Sequence, residues 1–350
     1  MTVLRHGAII GFGNVAAKGH LPGWRERRDF QIVAVSDPDP QRRALAASLL
    51  PLARVYADAA ELLRQERLDF VDIAAPPALH APLMIAAADA GVHVLCEKPL
   101  TASLPDYRAV DAAVRRAGIV LHTVHNWKYS EAFQAVQRLV AGGTLGALTA
   151  ISFDTARNGC ATASGDNWRV QAAMAGGGIL VDHGWHAFYL MLAFANQAPQ
   201  RIRAVLERRR YQDAEVEDTA SCTVDFRSLT GEIRLTWAAE ERRTSWRLVG
   251  TDGELLVDDD RLVLRGKHRE DVLPLSTALS AGSHHPEWFA GVIDSFCREL
   301  DDPAARGANQ AEAEQCLLLL SLAYASAAQG SRTLDVPTSE RWIAEEAGAG

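Results

Sequence analysis

Asp182 and His186 are the two side chains whose types and spacing most directly suggest catalysis. They lie four positions apart, and three glycines at 176–178 precede them. In a helix of about 3.6 residues per turn, this spacing places a carboxylate and an imidazole on one face. A neighbouring carboxylate raises the pKa of a histidine and orients it for proton transfer near neutral pH. Such a pair is also common as an ordinary surface contact, so its meaning depends on the rest of the chain. We expect the glycine run itself to be flexible.

Lys98 is the second candidate, because lysine is rare in this chain. Only 4 of the 36 basic residues are lysine, and the rest are arginine. Arginine does not release its proton in a protein, whereas a partly buried lysine can. Lys98 lies between Glu97 and Pro99, directly after an apolar run at 92–96. This placement indicates proton chemistry or a compact donor to a hydroxyl, and the alternative is a surface lysine on a loop.

A dinucleotide-binding turn is predicted at the start of the chain. Residues 6–10 predict a short buried strand, and a G-x-G-x-x-A motif follows it directly. This motif combines a tight turn with close approach of the backbone to a pyrophosphate. The predicted cofactor contacts in the turn are Gly11, Phe12, Gly13, Asn14 and Val15.

Asp37 ends the second predicted strand, at 31–36. An acid at this distance from the glycine motif binds the hydroxyls of the adenosine ribose. Because an acid repels a 2′-phosphate, Asp37 favours NAD over NADP as the cofactor. Arg42 and Arg43 follow closely enough to leave NADP open.

Strands and helices alternate through the first third of the chain. Further strands are predicted at 69–75, 92–96 and 118–124, with helices at 41–49, 58–65, 79–90 and 103–117. This alternation predicts a parallel sheet covered on both faces, whose ligands bind beyond the carboxyl ends of the strands. The candidate cofactor contacts at these strand ends are Ala75, Pro76, His80, Glu97 and Lys98. The candidate substrate contacts after the last strand are Asn126 and Tyr129, alongside Lys98, Asp182 and His186.

The remainder of the chain predicts a second domain. Strands without intervening helices are predicted at 148–153, 220–226, 231–237, 245–250 and 253–257, which indicates an antiparallel or mixed sheet with one helix-covered face. We expect 158–178 to be a loop that reaches the active site, with Trp168 and Arg169 near the cofactor and Arg169 also near the substrate. The alternative is a structural tryptophan with a stacked arginine. The predicted domains are 1–124 and 125–340.

Composition narrows the classes of partner. The net charge of −8 argues against nucleic acid and anionic membranes as partners. No apolar run approaches about 18 residues, and the first residues lack a signal-peptide pattern. Five widely spaced cysteines without a C-x-x-C motif predict reduced thiols in a cytoplasmic protein.

A metal site is the main chemical alternative at the Asp/His segment. Asp182, His183 and His186 are ligand types that suit zinc at helical spacing. The sequence offers no further strong ligand for such a site, and a lysine can polarise a hydroxyl in a nicotinamide enzyme. We therefore predict no metal.

Four segments occur here in the order and spacing of a known family. They are Gly11-Phe12-Gly13, Ala75-Pro76-Pro77 with His80, Glu97-Lys98-Pro99, and Gly177-Gly178 with Asp182 and His186. Together with a predicted hairpin at 251–255 and a helix at 312–327, they resemble the glucose–fructose oxidoreductase/inositol dehydrogenase/MocA family. The chain departs from the family pattern at Ala75, Lys128, Glu131 and His183.

The resemblance implies a fold, a reaction and a catalytic trio. The fold is α/β, with an N-terminal Rossmann domain containing a doubly wound parallel sheet and a C-terminal α+β domain with a large open sheet, often used for homo-dimer or homo-tetramer contacts. The reaction is hydride transfer between a nicotinamide and a carbinol carbon of a sugar or polyol. Lys98, Asp182 and His186 match the catalytic positions of the family.

The resulting hypothesis assigns each member of the trio a role. His186 takes the hydroxyl proton, Asp182 orients His186, and Lys98 stabilises developing charge on the same oxygen. The substrate is a sugar, a cyclitol or a sugar derivative. Two alternatives from other classes are a glycosidase or lyase that retains NAD and oxidises its substrate transiently, and a non-catalytic protein that senses a nucleotide.

Overall fold

The computed structural model describes residues 4–160, 167–267 and 270–337. Within these ranges the chain forms two compact units. The first contains 4–130, 167–176 and 282–317, and the second contains 131–160, 177–267, 270–281 and 318–337. The predicted functional division at residue 124 stays a prediction, because these units are defined by packing and not by what they bind.

The α-helices account for most of the segments between strands. In chain order they are α1 (Leu21–Glu26), α2 (Pro40–Leu49), α3 (Ala59–Gln65), α4 (His80–Asp89), α5 (Leu104–Ala117), α6 (Glu131–Ala141), α7 (Ala172–Ala175), α8 (Trp185–Ala195), α9 (Pro286–Asp301) and α10 (Ala308–Ala328). Two further segments, Ala16–His20 and Leu180–Gly184, are π-helical. Short 3₁₀ turns lie at Pro77–Leu79, Asn126–Tyr129, Trp168–Val170 and Pro303–Ala305.

Local capping explains where several of these helices begin. The side chains of Asp39, Asp58 and Ser103 accept hydrogen bonds from backbone N–H groups in the first turns of α2, α3 and α5. Each satisfies a donor that the helix itself leaves unpaired. Gly118 ends α5 in the left-handed conformation, at a φ of 67°. These residues lie within two positions of the helix ends that the sequence predicts.

A six-stranded parallel sheet forms the centre of the first unit. Its strands are β1 (Arg5–Ile10), β2 (Phe30–Ser36), β3 (Arg54–Tyr56), β4 (Phe70–Ile73), β5 (His93–Cys96) and β6 (Leu121–Thr123). Their order, β3-β2-β1-β4-β5-β6, is that of a doubly wound dinucleotide-binding sheet. The predicted α/β fold is therefore confirmed. The sequence analysis misses β3, a three-residue edge strand too short to show periodicity.

The second unit contains a nine-stranded mixed sheet. Its strands are β7 (Leu148–Asn158), β8 (Arg201–Glu207), β9 (Thr219–Asp225), β10 (Thr230–Thr236), β11 (Ala238–Gly250), β12 (Gly253–Asp258), β13 (Arg261–Gly266), β14 (Glu270–Pro274) and β15 (Leu334–Asp335). Strands β7 and β10 are parallel neighbours, and the other pairs are antiparallel. The predicted mixed sheet is confirmed. The sequence analysis misses β8, β13, β14 and β15, which include both edges of the sheet.

Helix α8 covers the sheet of the second unit by packing against β7. Nine of its side chains are buried, including Trp185, Phe188 and Tyr189. A helix that is apolar on nearly all sides must be surrounded by protein. His186, the second residue of α8, therefore interrupts an otherwise apolar segment.

No helix in the described part of the chain combines the length and the apolar character that a membrane-spanning helix needs.

Candidate active site

The glycine turn of the first unit has the shape that a dinucleotide requires. Gly11 adopts a φ of +86°, and a Cβ there would lie 2.8 Å from the backbone nitrogen of Ala75. A Cβ at Gly13 would meet nothing within 4 Å. Gly11 therefore allows β1 and the segment after β4 to approach closely, whereas the space beside Gly13 is open to a pyrophosphate.

Asp37 lies directly beneath this turn. One carboxylate oxygen accepts the N–H of Phe12 at 2.6 Å, and the other accepts the N–H of Asp39 at 2.8 Å. Each oxygen of an ionised carboxylate has a second lone pair, so Asp37 can still accept hydrogen bonds from ribose hydroxyls. The Phe12 side chain is fully buried, so only its backbone belongs to the turn. Arg43 donates to the carbonyl oxygens of Asp37 and Pro38, at 2.9 Å and 2.8 Å.

His80 joins the two loops that follow β4 and β5. Its Nε2 lies 2.9 Å from the carbonyl oxygen of Ala75, and its Nδ1 lies 2.8 Å from that of Pro99. The ring is fully buried, and burial lowers its pKa. The structure thus gives His80 a role in holding together the loops that contain Ala75, Pro76 and Lys98. Direct contact of His80 with a cofactor stays a prediction.

A buried charge network lies beneath Lys98. His20 Nδ1 is 3.0 Å from both carboxylate oxygens of Asp72, and His20 Nε2 is 3.0 Å from Glu97 Oε1. Trp24 donates to Asp72 at 2.7 Å, and Glu97 Oε2 accepts the N–H of Lys98 at 3.0 Å. Burial alone would lower the pKa of His20, but the two carboxylates raise it to about 10. His20 is therefore an imidazolium that donates from both ring nitrogens.

Sequence reasoning predicts Glu97 and Lys98 but misses the rest of this network. The sequence did contain a signal, because Asp72 is a charged residue within the otherwise apolar strand Phe70–Ile73. In the structure all four residues of this strand are buried. A buried carboxylate requires a partner. The partner could not be identified from spacing, since His20 lies 52 residues earlier in the chain.

We predict that His20→Gln destabilises the first unit, because it leaves the buried Asp72 and the partly buried Glu97 carboxylates without their shared cation. Removing one member of a buried ion pair costs about 3–5 kcal/mol. The folded pKa of about 10 lies above the ordinary value of 6.5, so this contribution is complete below pH 6.5 and is lost as pH rises through 10. Chemical denaturation at several pH values measures the effect. His6→Gln, at an exposed histidine of β1, is the matched control. Unchanged stability of His20→Gln at pH 7 would contradict the prediction.

Asp182 and His186 lie on consecutive helical segments of the second unit. Asp182 is in the π-helical turn Leu180–Gly184, and His186 is the second residue of α8. Asp182 Oδ2 is 3.7 Å from His183 Nε2, whereas His186 Nδ1 is 2.8 Å from the Tyr189 hydroxyl. A π-helical turn departs from α-helical spacing and is frequent at functional sites. That Asp182 orients His186 stays a prediction. Tyr189 is a partner that the sequence analysis misses, although it lies three residues further along the same helix.

The glycine run before this helix is tightly packed, which corrects the prediction that it is flexible. A Cβ at Gly177 would lie 2.0 Å from the Tyr324 hydroxyl, and one at Gly178 would lie 1.8 Å from the carbonyl oxygen of Glu217. Both distances are far below van der Waals contact. Glycine is therefore required at these two positions because neighbouring atoms occupy the space that a side chain would fill.

Trp168 and Arg169 form a 3₁₀ turn with Val170 in the first unit. The Arg169 guanidinium lies over the Trp168 ring, 4.4 Å from its centroid. This is the stacked pair that the sequence analysis gave as the structural alternative, and contact of either residue with cofactor or substrate stays a prediction. Residues 161–166 of the predicted loop lie outside the described residues.

The 3₁₀ turn Asn126–Tyr129 follows β6 and contains both remaining candidates. Asn126 Oδ1 is buried and has no hydrogen-bond partner among the described residues. A buried unsatisfied carbonyl is rare and indicates a missing partner such as a ligand or a water molecule. The Tyr129 ring packs against Gly291, where a Cβ would lie 2.2 Å from it. Tyr129 is thus held by helix α9, and Asn126 has the stronger case for binding.

Lys128, a departure from the family pattern, is part of an ion-pair cluster. Lys128 Nζ and His125 Nδ1 each lie 2.7 Å from an oxygen of Glu312. Although burial opposes it, these two groups lower the pKa of Glu312 to about 2. Lys128 therefore pairs with helix α10. Across the described residues, the structure contains no group of three or more His, Cys, Asp or Glu side chains that could hold a metal ion.

Both parts of the chain match models of known protein families. Residues 5–125 match a model described as an oxidoreductase family with an NAD-binding Rossmann fold, and residues 133–256 match the GFO/IDH/MocA C-terminal domain. A D-apiose dehydrogenase from Paraburkholderia graminis is 41% identical over 140 residues, which cover 40% of this chain and 37% of that protein. A D-xylose 1-dehydrogenase (NADP⁺) from Haloferax volcanii is 29% identical, over 71% of this chain and 74% of its own.

A solved structure supports the same assignment. The crystal structure of an oxidoreductase from Agrobacterium radiobacter, in complex with NAD⁺, L-tartaric acid and magnesium, is 25% identical in sequence. It superimposes with a TM-score of 0.82 and covers 95% of this chain and 98% of its own. The likeness therefore extends over both units.

Proposed function

Because this chain belongs to the GFO/IDH/MocA oxidoreductase family, we propose that it transfers a hydride between NAD and a secondary carbinol of a sugar, a cyclitol or a sugar derivative. The observation that carries the proposal is the glycine turn of the first unit, with open space at Gly13 and the Asp37 carboxylate bonded beneath it. The relatives' names support a sugar as the substrate class.

The residues of the candidate cofactor site are suited to binding NAD. Asp37 would hold the ribose hydroxyls, the open side of Gly13 would admit the pyrophosphate, and the unsatisfied Oδ1 of Asn126 would accept a hydrogen bond from an amide or hydroxyl of the ligand. Bound NAD would supply the acceptor for the hydride that leaves the carbinol carbon.

The chain's own residues would move the proton and stabilise charge. We assign His186 as the base that takes the hydroxyl proton at Nε2, since Tyr189 occupies Nδ1. As the C–H hydride leaves, the carbon–oxygen bond becomes a carbonyl. Lys98 Nζ would stabilise negative charge on the substrate oxygen. Asp182 would stabilise the protonated imidazole.

Two further features belong to this proposal. All five cysteines are buried and none forms a disulfide, which suits a reducing compartment such as the cytoplasm. The family resemblance supports a homo-dimer or a homo-tetramer.

Asp37→Ser is expected to narrow the preference for NAD over NADP. Wild-type protein should bind NAD more tightly, because the Asp37 carboxylate repels a 2′-phosphate and accepts from the ribose hydroxyls of NAD. Loss of the charge removes the repulsion. Titration of wild-type and variant protein with both cofactors measures the change. Tighter binding of NADP by the unmodified protein would refute the assignment of Asp37.

A substrate screen tests the proposed function. Wild-type protein is incubated with NAD and a panel of aldoses, cyclitols, sugar acids and nucleotide sugars, and the absorbance of reduced cofactor is followed. The proposal predicts net NADH production with one group of related compounds. Binding of NAD without turnover across the panel would favour a nucleotide sensor. NAD that co-purifies with the protein and shows no net reduction would favour a lyase or glycosidase.

A further inference from the structure

Glu217 contacts the backbone at the start of the helical segment that contains Asp182 and His186. Its Oε1 accepts the N–H groups of Gly178 and Leu180, both at 3.0 Å, and its Oε2 accepts that of Gly178 at 3.1 Å. The backbone carbonyl of Glu217 accepts the N–H of Ile179 at 3.1 Å. Three consecutive amides of one segment therefore end on one residue, which lies just before β9.

These amides are the ones that a helix cannot satisfy by itself. The first N–H groups of a helical segment have no partners within it, and they form the positive end of its dipole. A carboxylate at this end supplies both acceptors and the complementary charge. Asp182 follows two residues after Leu180, and its own N–H bonds to the carbonyl oxygen of Gly178 at 3.0 Å. The backbone of Asp182 is thus hydrogen-bonded directly to Gly178, which Glu217 holds in place.

Tyr324, on helix α10, is a further hydrogen-bond partner of the Glu217 carboxylate. Its hydroxyl donates to Glu217 Oε1 at 2.9 Å. Burial, followed by the nearby Glu217 carboxylate, raises the pKa of Tyr324 well above its ordinary value, so the hydroxyl remains a donor. Glu217 is 7% exposed and therefore well shielded from solvent.

The glycines at 177 and 178 complete this arrangement. A Cβ at Gly177 would collide with the Tyr324 hydroxyl, and one at Gly178 would collide with the Glu217 backbone, as described above. The close approach of Glu217 and Tyr324 therefore requires a backbone without side chains. Gly177, Gly178, Glu217 and Tyr324 therefore pack tightly together. This contact lies at the start of the helical segment that contains the candidate catalytic residues.

We propose that Glu217, supported by Tyr324, is a positioning residue that fixes Asp182 and His186 for hydride transfer without itself touching the substrate. This inference rests on the proposed dehydrogenase function. A misplacement of about 1 Å at a catalytic group costs on the order of 10²-fold in rate. Loss of the Glu217 carboxylate should therefore reduce kcat far more than it changes the affinity for NAD, which binds to the first unit.

The test compares Glu217→Gln with Tyr324→Phe and Glu217→Asp. Glutamine presents an amide N–H₂ where the backbone offers only donors, so Glu217→Gln should lower kcat by about 10²-fold with NAD affinity unchanged. Tyr324→Phe keeps the carboxylate and its bonds to the backbone, and should give a smaller loss. Glu217→Asp keeps the charge and should recover part of the activity lost in Glu217→Gln. Tyr324→Phe also keeps the test informative if Glu217→Gln does not fold.

Glu66 offers a matched control in the first unit. It is also a buried glutamate that accepts a tyrosine hydroxyl, from Tyr56, and it pairs with Arg54. Glu66→Gln should lower the melting temperature and leave kcat near that of wild-type protein.

If wild-type protein is an active dehydrogenase, either of two results would overturn the inference. One is normal kcat in a folded Glu217→Gln variant or, if that variant does not fold, normal kcat in Tyr324→Phe. The other is an equal loss of kcat in Glu66→Gln at equal loss of stability, which would mean that general destabilisation explains the effect. Absence of NAD-dependent turnover in wild-type protein would instead refute the proposed function, and the inference would fall with it.

Discussion

Replacing His186 with alanine is expected to lower kcat by about 10²–10⁴-fold while the affinity for NAD stays close to that of wild-type protein. This is the usual contribution of a positioned general acid or base. The ring lies at the start of α8 in the second unit, and its Nδ1 is bonded to Tyr189 at 2.8 Å. Its removal should therefore affect proton transfer and leave the glycine turn of the first unit intact. Steady-state kinetics and a cofactor titration on the same preparation measure both quantities.

Tyr189→Phe is the matched control for this prediction. It removes the hydroxyl that bonds to His186 Nδ1 and keeps the buried ring. We expect a smaller loss of kcat than in His186→Ala, since the base remains but is less well oriented. If His186→Ala loses NAD binding as strongly as it loses turnover, His186 has a structural role and the assignment as a base is wrong.

Lys98→Arg is expected to lower kcat by about 10²–10³-fold, although the substitution keeps the positive charge. A preorganised donor to a developing oxyanion contributes about this much. The planar guanidinium fork cannot replace a compact ammonium at such a point. Lys98→Ala should be at least as impaired. Both variants should stay folded, because the backbone N–H of residue 98 still bonds to Glu97 and the charge network beneath it is intact.

Measuring turnover and melting temperature of both Lys98 variants tests whether kcat falls while the protein stays folded. Lys267→Arg, at an exposed lysine of the second unit, controls for the exchange of lysine for arginine and should keep wild-type kcat. Near-normal turnover in Lys98→Arg would mean that residue 98 acts only as a positive charge, so the hydroxyl proton would be handled without a lysine donor.

Local features of the chain were predicted well because they are coded by neighbouring residues. The glycine turn depends on Gly11 and Gly13, and Asp37 follows the next predicted strand, so a short stretch of sequence contains the whole motif. Helix ends at Asp39 and Ser103 are likewise set by their own side chains. Central strands of both sheets have apolar runs, whereas the short edge strands β3 and β14 have no fully buried residue and were missed.

The supporting contacts of the site could not be predicted, since their partners are distant in sequence. His20 meets Glu97 across 77 residues, and Tyr324 meets Glu217 across 107. Spacing in the sequence does not identify such pairs. The glycines before Asp182 show the consequence. Their composition predicts flexibility, but the structure shows that they are glycines because Glu217 and Tyr324 pack against them.

Transfer of deuterium from substrate to cofactor tests the central claim most directly. The substrate found in the screen is prepared with deuterium at the carbon that is oxidised, and wild-type protein converts it in the presence of NAD. If the chain is a dehydrogenase of the proposed kind, the released reduced cofactor carries the deuterium, and His186→Ala and Lys98→Ala release far less of it. Conversion of the substrate without deuterium in free NADH, with the NAD pool unconsumed, would contradict the account and favour transient oxidation by a retained cofactor.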